Sequence, residues 1–338
     1  MSGLDAQAVN RQIILERKPK DKLSPDHFRI LESPIPEPGP GEVLTRTLYL
    51  SIDPAARSWM QGRTYTDPVR PGMVMPGYSL ARVVVSRDPG LSPGDLVEGA
   101  GGWRDYAVAP AGEWYKRPWR EPLTHYLSVL GVTGKTAYFG LLDIGRPRSG
   151  ETVVISAAAG AVGSVAGQIA RIKGARVVGL AGSDEKCALL TETFGFDAAV
   201  NYKTNNLLKA LARQCPDGID VYFDNVGGGV FEAALFLMNT RGRIVCCGAV
   251  SSYDGAPPES GPRGIPGLIV VKRLRLEGFI VFDHYDRRDQ ADSDLSAWVD
   301  QGMIQVREDV IDGLENAPRA LVGLLAGENV GKRMIRVS

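Results

Sequence analysis

An apolar run, Thr152-Val153-Val154-Ile155-Ser156, passes straight into the small-residue bend Ala157-Ala158-Ala159-Gly160-Ala161-Val162-Gly163, and a helical pattern starts at Ser164. A chain can go from buried strand to helix this abruptly only where the two backbones approach with almost no side chain between them. Nothing in the bend is larger than valine. The same alternation recurs toward the carboxy end. GSVAGQIARIKG reads as a helix closed by Gly174, ARVVGLAG as a strand, and SDEKCALLTETFG as a helix with Ser183 at its N-cap. AAVNY, IDVYFDNVG and GRIVCCGAV continue the series, with helical stretches between them. Buried strands alternating with helices of about ten to fifteen residues predict βαβ units and a parallel sheet.

The bend matches the dinucleotide-binding fingerprint, with Ala158 in place of its first glycine. Gly160 lets backbone approach a diphosphate, and Gly163 lets helix and strand pack closely. The N–H groups at the helix start, around Ala161, Val162 and Gly163, then face the negative charge. The region from about Val153 to about Phe282 is therefore expected to be a Rossmann-type cofactor-binding domain. The choice of cofactor rests on the end of the second strand. A site for NAD places Asp or Glu there, about 20 residues past the bend, on the ribose 2′-hydroxyl. Here the run is Leu180-Ala181-Gly182-Ser183, with no carboxylate before Asp184 and with Lys186 one turn into the helix. A hydroxyl and an ammonium in place of an acid suit a 2′-phosphate, and NADP(H) is the expected cofactor. An ordinary exposed helix lysine is the plain alternative for Lys186. Gly131-Val132-Thr133-Gly134-Lys135-Thr136 imitates a P-loop, but Val129 stands where its first glycine is required and no buried strand leads into it.

At 338 residues the chain exceeds what one core usually serves, so a second domain is expected. The first hundred or so residues supply it. Gln12–Leu15, Glu42–Leu50, Leu80–Val85 and Asp95–Glu98 are short strand-like runs separated by Pro/Gly punctuation, which suits a barrel-like or bent sheet. From His125 to Ile144 the spacing turns helical, and strand-like runs return near Val306 and at the carboxy end, where the last is expected to rejoin the first domain. Lys plus Arg balances Asp plus Glu, 39 against 39, so no net field points to nucleic acid or an anionic membrane. No apolar run approaches the roughly 18–20 residues of a spanning helix, and the amino terminus lacks a secretory layout, so a cytoplasmic protein is expected. Four cysteines (Cys187, Cys215, Cys246, Cys247) and three histidines (His27, His125, His284) form no metal-ligand spacing, and no metal site is expected.

These features together resemble the zinc-independent medium-chain dehydrogenases/reductases, in the group of the leukotriene B4 12-hydroxydehydrogenase/prostaglandin reductases and alkenal double-bond reductases. PEPGPGEVLTRTLYLSIDP, GGWRDYAV, GVTGKTAYFGLLDIG, AAAGAVGS, GSDEKC, NYK, YFDNVGG, CCGAVSSY, VVKRLRLEGFIVFD and GENVGKRMIRV carry the likeness over nearly the whole chain. It implies an α/β fold: a Rossmann doubly wound parallel-sheet domain over residues 131–304, and a β-rich, GroES-like bent-barrel catalytic domain from 1–130 with 305–338. It implies that Gly160 to Gly163 contact the pyrophosphate, and that Lys186 and Tyr202, beside Ser183, hold the 2′-phosphate. Asn225 lies near the cofactor ribose. Cys247, Gly248 and on to Tyr253 line its other side, Phe279, Ile280 and Val281 the nicotinamide pocket, and Asn329 reaches back from the carboxy-terminal segment.

The reaction so implied is NADPH-dependent hydride transfer to the β-carbon of an α,β-unsaturated ketone or aldehyde, without metal. Negative charge develops on the carbonyl oxygen as the double bond is reduced, and a donor there gains most in the transition state. Tyr253 is the first candidate for that donor and Tyr49 the second. Two other readings stand beside this one: a quinone reductase on the same scaffold, and a protein that binds NADPH without catalysis. The resemblance also implies a homodimer formed through edge strands of the nucleotide domain. The Pro/Gly-rich run Ser252–Gly267 is expected to be a mobile loop near the cofactor. The chain departs from the family in three places. Ala55-Ala56 replaces a bulky pair and implies a roomier substrate site. Lys135 occupies an apolar position, where a lysine snorkelling to the surface is expected. His284-Tyr285 follows FD, where relatives often carry a tyrosine–aromatic or tyrosine–alanine pair.

Overall fold

In a computed structural model the described residues are 9–203, 206–254 and 261–338. The chain divides into two compact units: Met1–Leu127 with Asp309–Asn329 and Arg333–Ser338, and Ser128–Glu308 with Val330–Lys332. Among the described residues no helix is long and apolar enough to cross a membrane.

The second unit is built on a six-stranded parallel sheet. In chain order its strands are Thr152–Ile155, Arg176–Ala181, Ala198–Asn201, Ile219–Asp224, Met238–Cys246 and Arg275–Gly278. Across the sheet they lie in the order third, second, first, fourth, fifth, sixth. This is the doubly wound order, whose topological switch falls between the first and fourth strands. Continuous apolar runs make this possible, because such a sheet is covered on both faces: Val153, Val154, Ile155, Val177, Val178, Val221 and Phe223 have 0% of their surface exposed.

The helix Ala161–Ile172 crosses from the first strand to the second and ends where the predicted stop, Gly174, takes φ +78°. Gly167 lies inside this helix for a packing reason. A Cβ there would sit 1.9 Å from Cζ of Phe196, so the bare backbone is the seat of that ring. The helix Asp184–Glu192 begins at the predicted cap, with Ser183 Oγ accepting from the Lys186 backbone N–H at 3.3 Å.

The P-loop imitation is the packed first part of the helix Val132–Phe139: a Cβ on Gly134 would stand 1.7 Å from the Val129 carbonyl oxygen. Lys135 corrects an expectation. It does not snorkel to the surface but is 1% exposed, with Nζ 2.7 Å from Asp292 of the helix Arg288–Asp300 and hydrogen-bonded to the Leu130 carbonyl. A second tie joins the same two helices, Tyr138 Oη donating to Asp294 at 2.6 Å.

The first unit holds an antiparallel sheet. Glu42–Ser51 is its centre, pairing with Ser79–Ser86, Tyr106–Pro110 and the carboxy-terminal Lys332–Arg336. The last strand thus returns to the amino-terminal sheet, Met334 lying opposite Ser51. Below it a cluster forms around Ile13, Leu15, Leu50, Ile52, Met75 and Trp103, with Trp103 stacked on Phe28 at 5.9 Å. Ala56 belongs to this cluster at 2% exposure, so of the Ala55-Ala56 pair only Ala55 keeps a partly open face.

Candidate functional site

The carboxy ends of the first and fourth strands of the parallel sheet meet at one polar knot. Ser156 Oγ donates to Asp224 Oδ1 at 3.0 Å and accepts from the Asn225 backbone N–H at 2.8 Å. Asn225 Nδ2 donates to the Ser156 carbonyl at 2.7 Å, fixing the amide predicted to face the ribose. The Asp224 carboxylate, 4% exposed, also accepts from Tyr222 Oη at 2.8 Å and from the N–H groups of Val226 and Gly227 at 3.0–3.1 Å. A buried carboxyl group is tolerated where donors surround it, and these do. Burial, with Asp224 beside it, holds the Tyr222 phenol well above its ordinary value, so it stays a donor. Sequence reading missed Ser156 and Asp224. Their signal was present: each is a polar residue ending a buried apolar run.

The predicted phosphate bend leaves this knot. Ala157 takes φ +47°, and Gly160 caps the helix with extended backbone. A Cβ on Gly163 would lie 2.5 Å from the Ala157 carbonyl oxygen and 2.8 Å from Ala158 Cα, so no other residue fits without opening the turn. Ala158, in place of the fingerprint's first glycine, is fully buried, and its N–H donates to the Leu180 carbonyl at 3.0 Å. Gly331 seals the outer side, its N–H donating to the Ala159 carbonyl at 2.8 Å. The first turn of helix Ala161–Ile172, at Ala161, Val162 and Gly163, directs N–H groups without intrahelical partners outward from this bend.

At the end of the second strand, Lys186 stands in the first turn behind Ser183. Tyr202 closes the same corner: a Cβ on Gly182 would be 2.9 Å from its hydroxyl oxygen, and burial raises its phenol. Cys247 and Gly248 follow the fifth strand, their N–H groups donating to the Asp224 carbonyl at 2.9 and 3.1 Å. Burial pushes the thiols up, to about 11 for Cys246 and about 12 for Cys247. Tyr253 ends the short turn Val250–Ser252, and its hydroxyl accepts from the Ala249 N–H at 3.2 Å. Phe279 packs edge-on against His284 at 6.1 Å, over the bare backbone of Gly140, where a Cβ would meet its ring at 2.6 Å. Ile280 is partly exposed and Val281 is buried. The structure thus brings the predicted cofactor residues of the second unit to the carboxy edge of its sheet. Of the predicted loop Ser252–Gly267, residues 255–260 lie outside the described residues.

Two predicted residues belong to the first unit. Tyr49 lies in Glu42–Ser51, half-buried and opposite Leu80 and Arg336. Asn329 is 9% exposed. Among the described residues no group of three His, Cys, Asp or Glu side chains is arranged to hold a metal ion. The glycine-lined bend, the outward N–H groups and a second strand ending without an acid fit a phosphorylated dinucleotide.

Comparison with known proteins agrees with this geometry. Residues 11–116 match the family described as "N-terminal domain of oxidoreductase", and residues 161–297 the one described as "Zinc-binding dehydrogenase". The chain is 44% identical over 337 residues to the NADPH-dependent curcumin reductase of Escherichia coli, covering 97% of each. It is 42% identical over 343 residues to the 2-alkenal reductase (NADP(+)-dependent) of Nicotiana tabacum, covering 98% of each. The crystal structure of CurA from Vibrio vulnificus in complex with NADPH superposes with a TM-score of 0.93 at 41% identity, covering 97% of this chain and 99% of that one. With so much of its length shared, the chain belongs to the zinc-independent group of the medium-chain dehydrogenases/reductases.

Proposed function

We propose that this protein is an NADPH-dependent reductase of carbon–carbon double bonds conjugated to a ketone or aldehyde, acting without metal. One observation carries the reading. Its parallel sheet ends in a glycine bend beside a second strand that ends without an acid, where Gly182, Lys186 of the next helix and Tyr202 from the end of the third strand meet, in a chain 44% identical to an NADPH-dependent curcumin reductase. The enzymes named for curcumin and 2-alkenals both meet substrates in which a double bond is conjugated to a carbonyl.

Gly160 to Gly163 and the N–H groups of the helix start hold the diphosphate, Ser183, Lys186 and Tyr202 the 2′-phosphate, and Asn225 the ribose. Cys247 and Gly248 line the cofactor's other side and Phe279 to Val281 the nicotinamide pocket, with Asn329 contributing from the carboxy-terminal segment. When bound, NADPH supplies the hydride that adds to the substrate's β-carbon. Tyr253, with Tyr49 second, donates to the carbonyl oxygen as charge gathers there. Burial raises the Tyr253 phenol, which keeps it a neutral donor. The α-carbon takes its proton from solvent.

The protein works as a cytoplasmic homodimer in this proposal, with no nucleic-acid or membrane partner. The short sixth strand at the sheet edge and the exposed Val270 and Val271 beside it support pairing of two copies. The deciding experiment follows NADPH absorbance with 3-nonen-2-one, then with a quinone, then with neither. Oxidation of NADPH only with the enone supports the proposal. Oxidation only with the quinone replaces it, and oxidation with neither sinks the enzymatic account.

A further inference from the structure

We propose that Lys203 is a second cation of the 2′-phosphate seat and that, with Tyr202, it occupies the place from which an acid would select the unphosphorylated dinucleotide. The third strand delivers it there. Asn201 lies beside Ala181 in the parallel pairing, and the Tyr202 N–H donates to the Ala181 carbonyl at 3.1 Å, so the chain leaves the sheet alongside Gly182. A Cβ built on Gly182 would stand 2.9 Å from the Tyr202 hydroxyl and 3.2 Å from Lys203 Cε. Lys203 is an exposed residue, yet the far end of its stem folds back over Gly182. In an NAD site an acid stands at the end of the second strand. Here that end carries no acid, and a phenol and a lysine stem lie over Gly182.

The local hydrogen bonds suit this assignment. The Lys203 N–H donates to Asn201 Oδ1 at 3.0 Å, which fixes the turn that presents the side chain. Asn201 Nδ2 donates to Asp184 Oδ1 at 2.7 Å. Glu185 accepts from its own backbone N–H and from the Ser183 hydroxyl, which lowers its carboxyl below the usual range. Both acids at this helix start are thus engaged by donors of the chain. A phosphate monoester carries about −1.5 to −2 charges at pH 7, more than the ammonium of Lys186 offsets alone. Lys203 supplies the second positive charge.

This inference rests on the NADPH reading, and binding of cofactor fragments tests the two separately. Adenosine 2′,5′-bisphosphate and 5′-AMP are titrated calorimetrically into the wild type, Lys203→Ala and Lys203→Arg. Lys203→Ala should bind the bisphosphate about tenfold more weakly and 5′-AMP unchanged, with recovery in Lys203→Arg. Phosphorus NMR supplies a readout that a merely structural role would not move. An adjacent ammonium favours the dianion, so the second ionisation of the bound 2′-phosphate should shift to higher pH in Lys203→Ala. Wild-type affinity for the bisphosphate in Lys203→Ala, or equal weakening of both ligands, overturns the assignment. A wild type that binds the bisphosphate no better than 5′-AMP overturns the NADPH reading itself, and this inference with it.

Discussion

The role proposed for Tyr253 is the one most exposed to test at the scale of single residues. Its hydroxyl is positioned by the Ala249 N–H, and burial raises its phenol above the ordinary value of 10.0. Tyr253→Phe keeps the ring and removes the donor, so kcat for an enone should fall about a hundredfold while NADPH affinity stays constant. The sign of the pKa shift adds a pH signature: a raised phenol loses its proton at higher pH than a free tyrosine does, so any tyrosine-dependent fall in wild-type kcat should come on the alkaline side of the free phenol's range. An unchanged rate in the variant, measured at saturating NADPH, removes Tyr253 from the reaction. Lys135 shows where reading residues one at a time stops. The chemistry of a lysine taken alone points to the surface, whereas the partner that keeps it buried, Asp292, lies on a helix far along the chain. Lys135→Met takes that cation from a carboxylate only 17% exposed and should cost roughly 3 kcal/mol in urea unfolding. Lys135→Met with Asp292→Leu should recover most of the loss, and a silent single variant would show that the pair contributes nothing.

At the scale of elements, the strand–bend–helix over Thr152–Ile172 was legible because its causes are local. Small residues are obligatory where Gly163 faces the Ala157 carbonyl, and the Ser183 cap is set by its own hydroxyl. The knot of Ser156, Asp224 and Asn225 and the approach of Lys203 to Gly182 were not legible in that way. Both arise from which strands become neighbours, fourth beside first and third beside second, and a sequence window does not contain that pairing. Lys186 and Gly163 can be told apart by what they disturb. Gly163→Ala forces a methyl into backbone atoms that cannot retreat and should cost about 1–3 kcal/mol of stability. It should also weaken NADPH and NADH alike, because the diphosphate turn serves both. Lys186→Ala should weaken NADPH alone. Thermal unfolding with cofactor titrations separates the two, and equal loss of both nucleotides in Lys186→Ala contradicts its role at the 2′-phosphate.

For the whole molecule, the open question posed by the fold is the edge of the parallel sheet. The sixth strand, Arg275–Gly278, pairs on one side only, with Met238–Cys246. Natural edges are usually shielded by charge, and here Arg275 is ion-paired with Glu277 along the strand itself. The helix Gly267–Lys272 beside it does the opposite, leaving Val270 70% and Val271 68% exposed, with Ile265 at 43% and Phe236 at 39% nearby. Valines this exposed are costly in isolation and useful against a second copy, where a two-fold axis brings four of them together. At roughly 1.5 kcal/mol for each valine buried, they contribute about 6 kcal/mol, or about four orders of magnitude in the dimer dissociation constant. Val270→Asp with Val271→Asp should therefore sediment as a monomer at micromolar concentration while the wild type sediments as a dimer. Fragment binding at the phosphate bend should persist in the monomer, because Gly160 and Gly163 follow the first strand and Tyr202 the third, away from the sixth-strand edge. If the double variant keeps the wild-type mass, two copies do not meet on this face, and the exposed valines have some other cause.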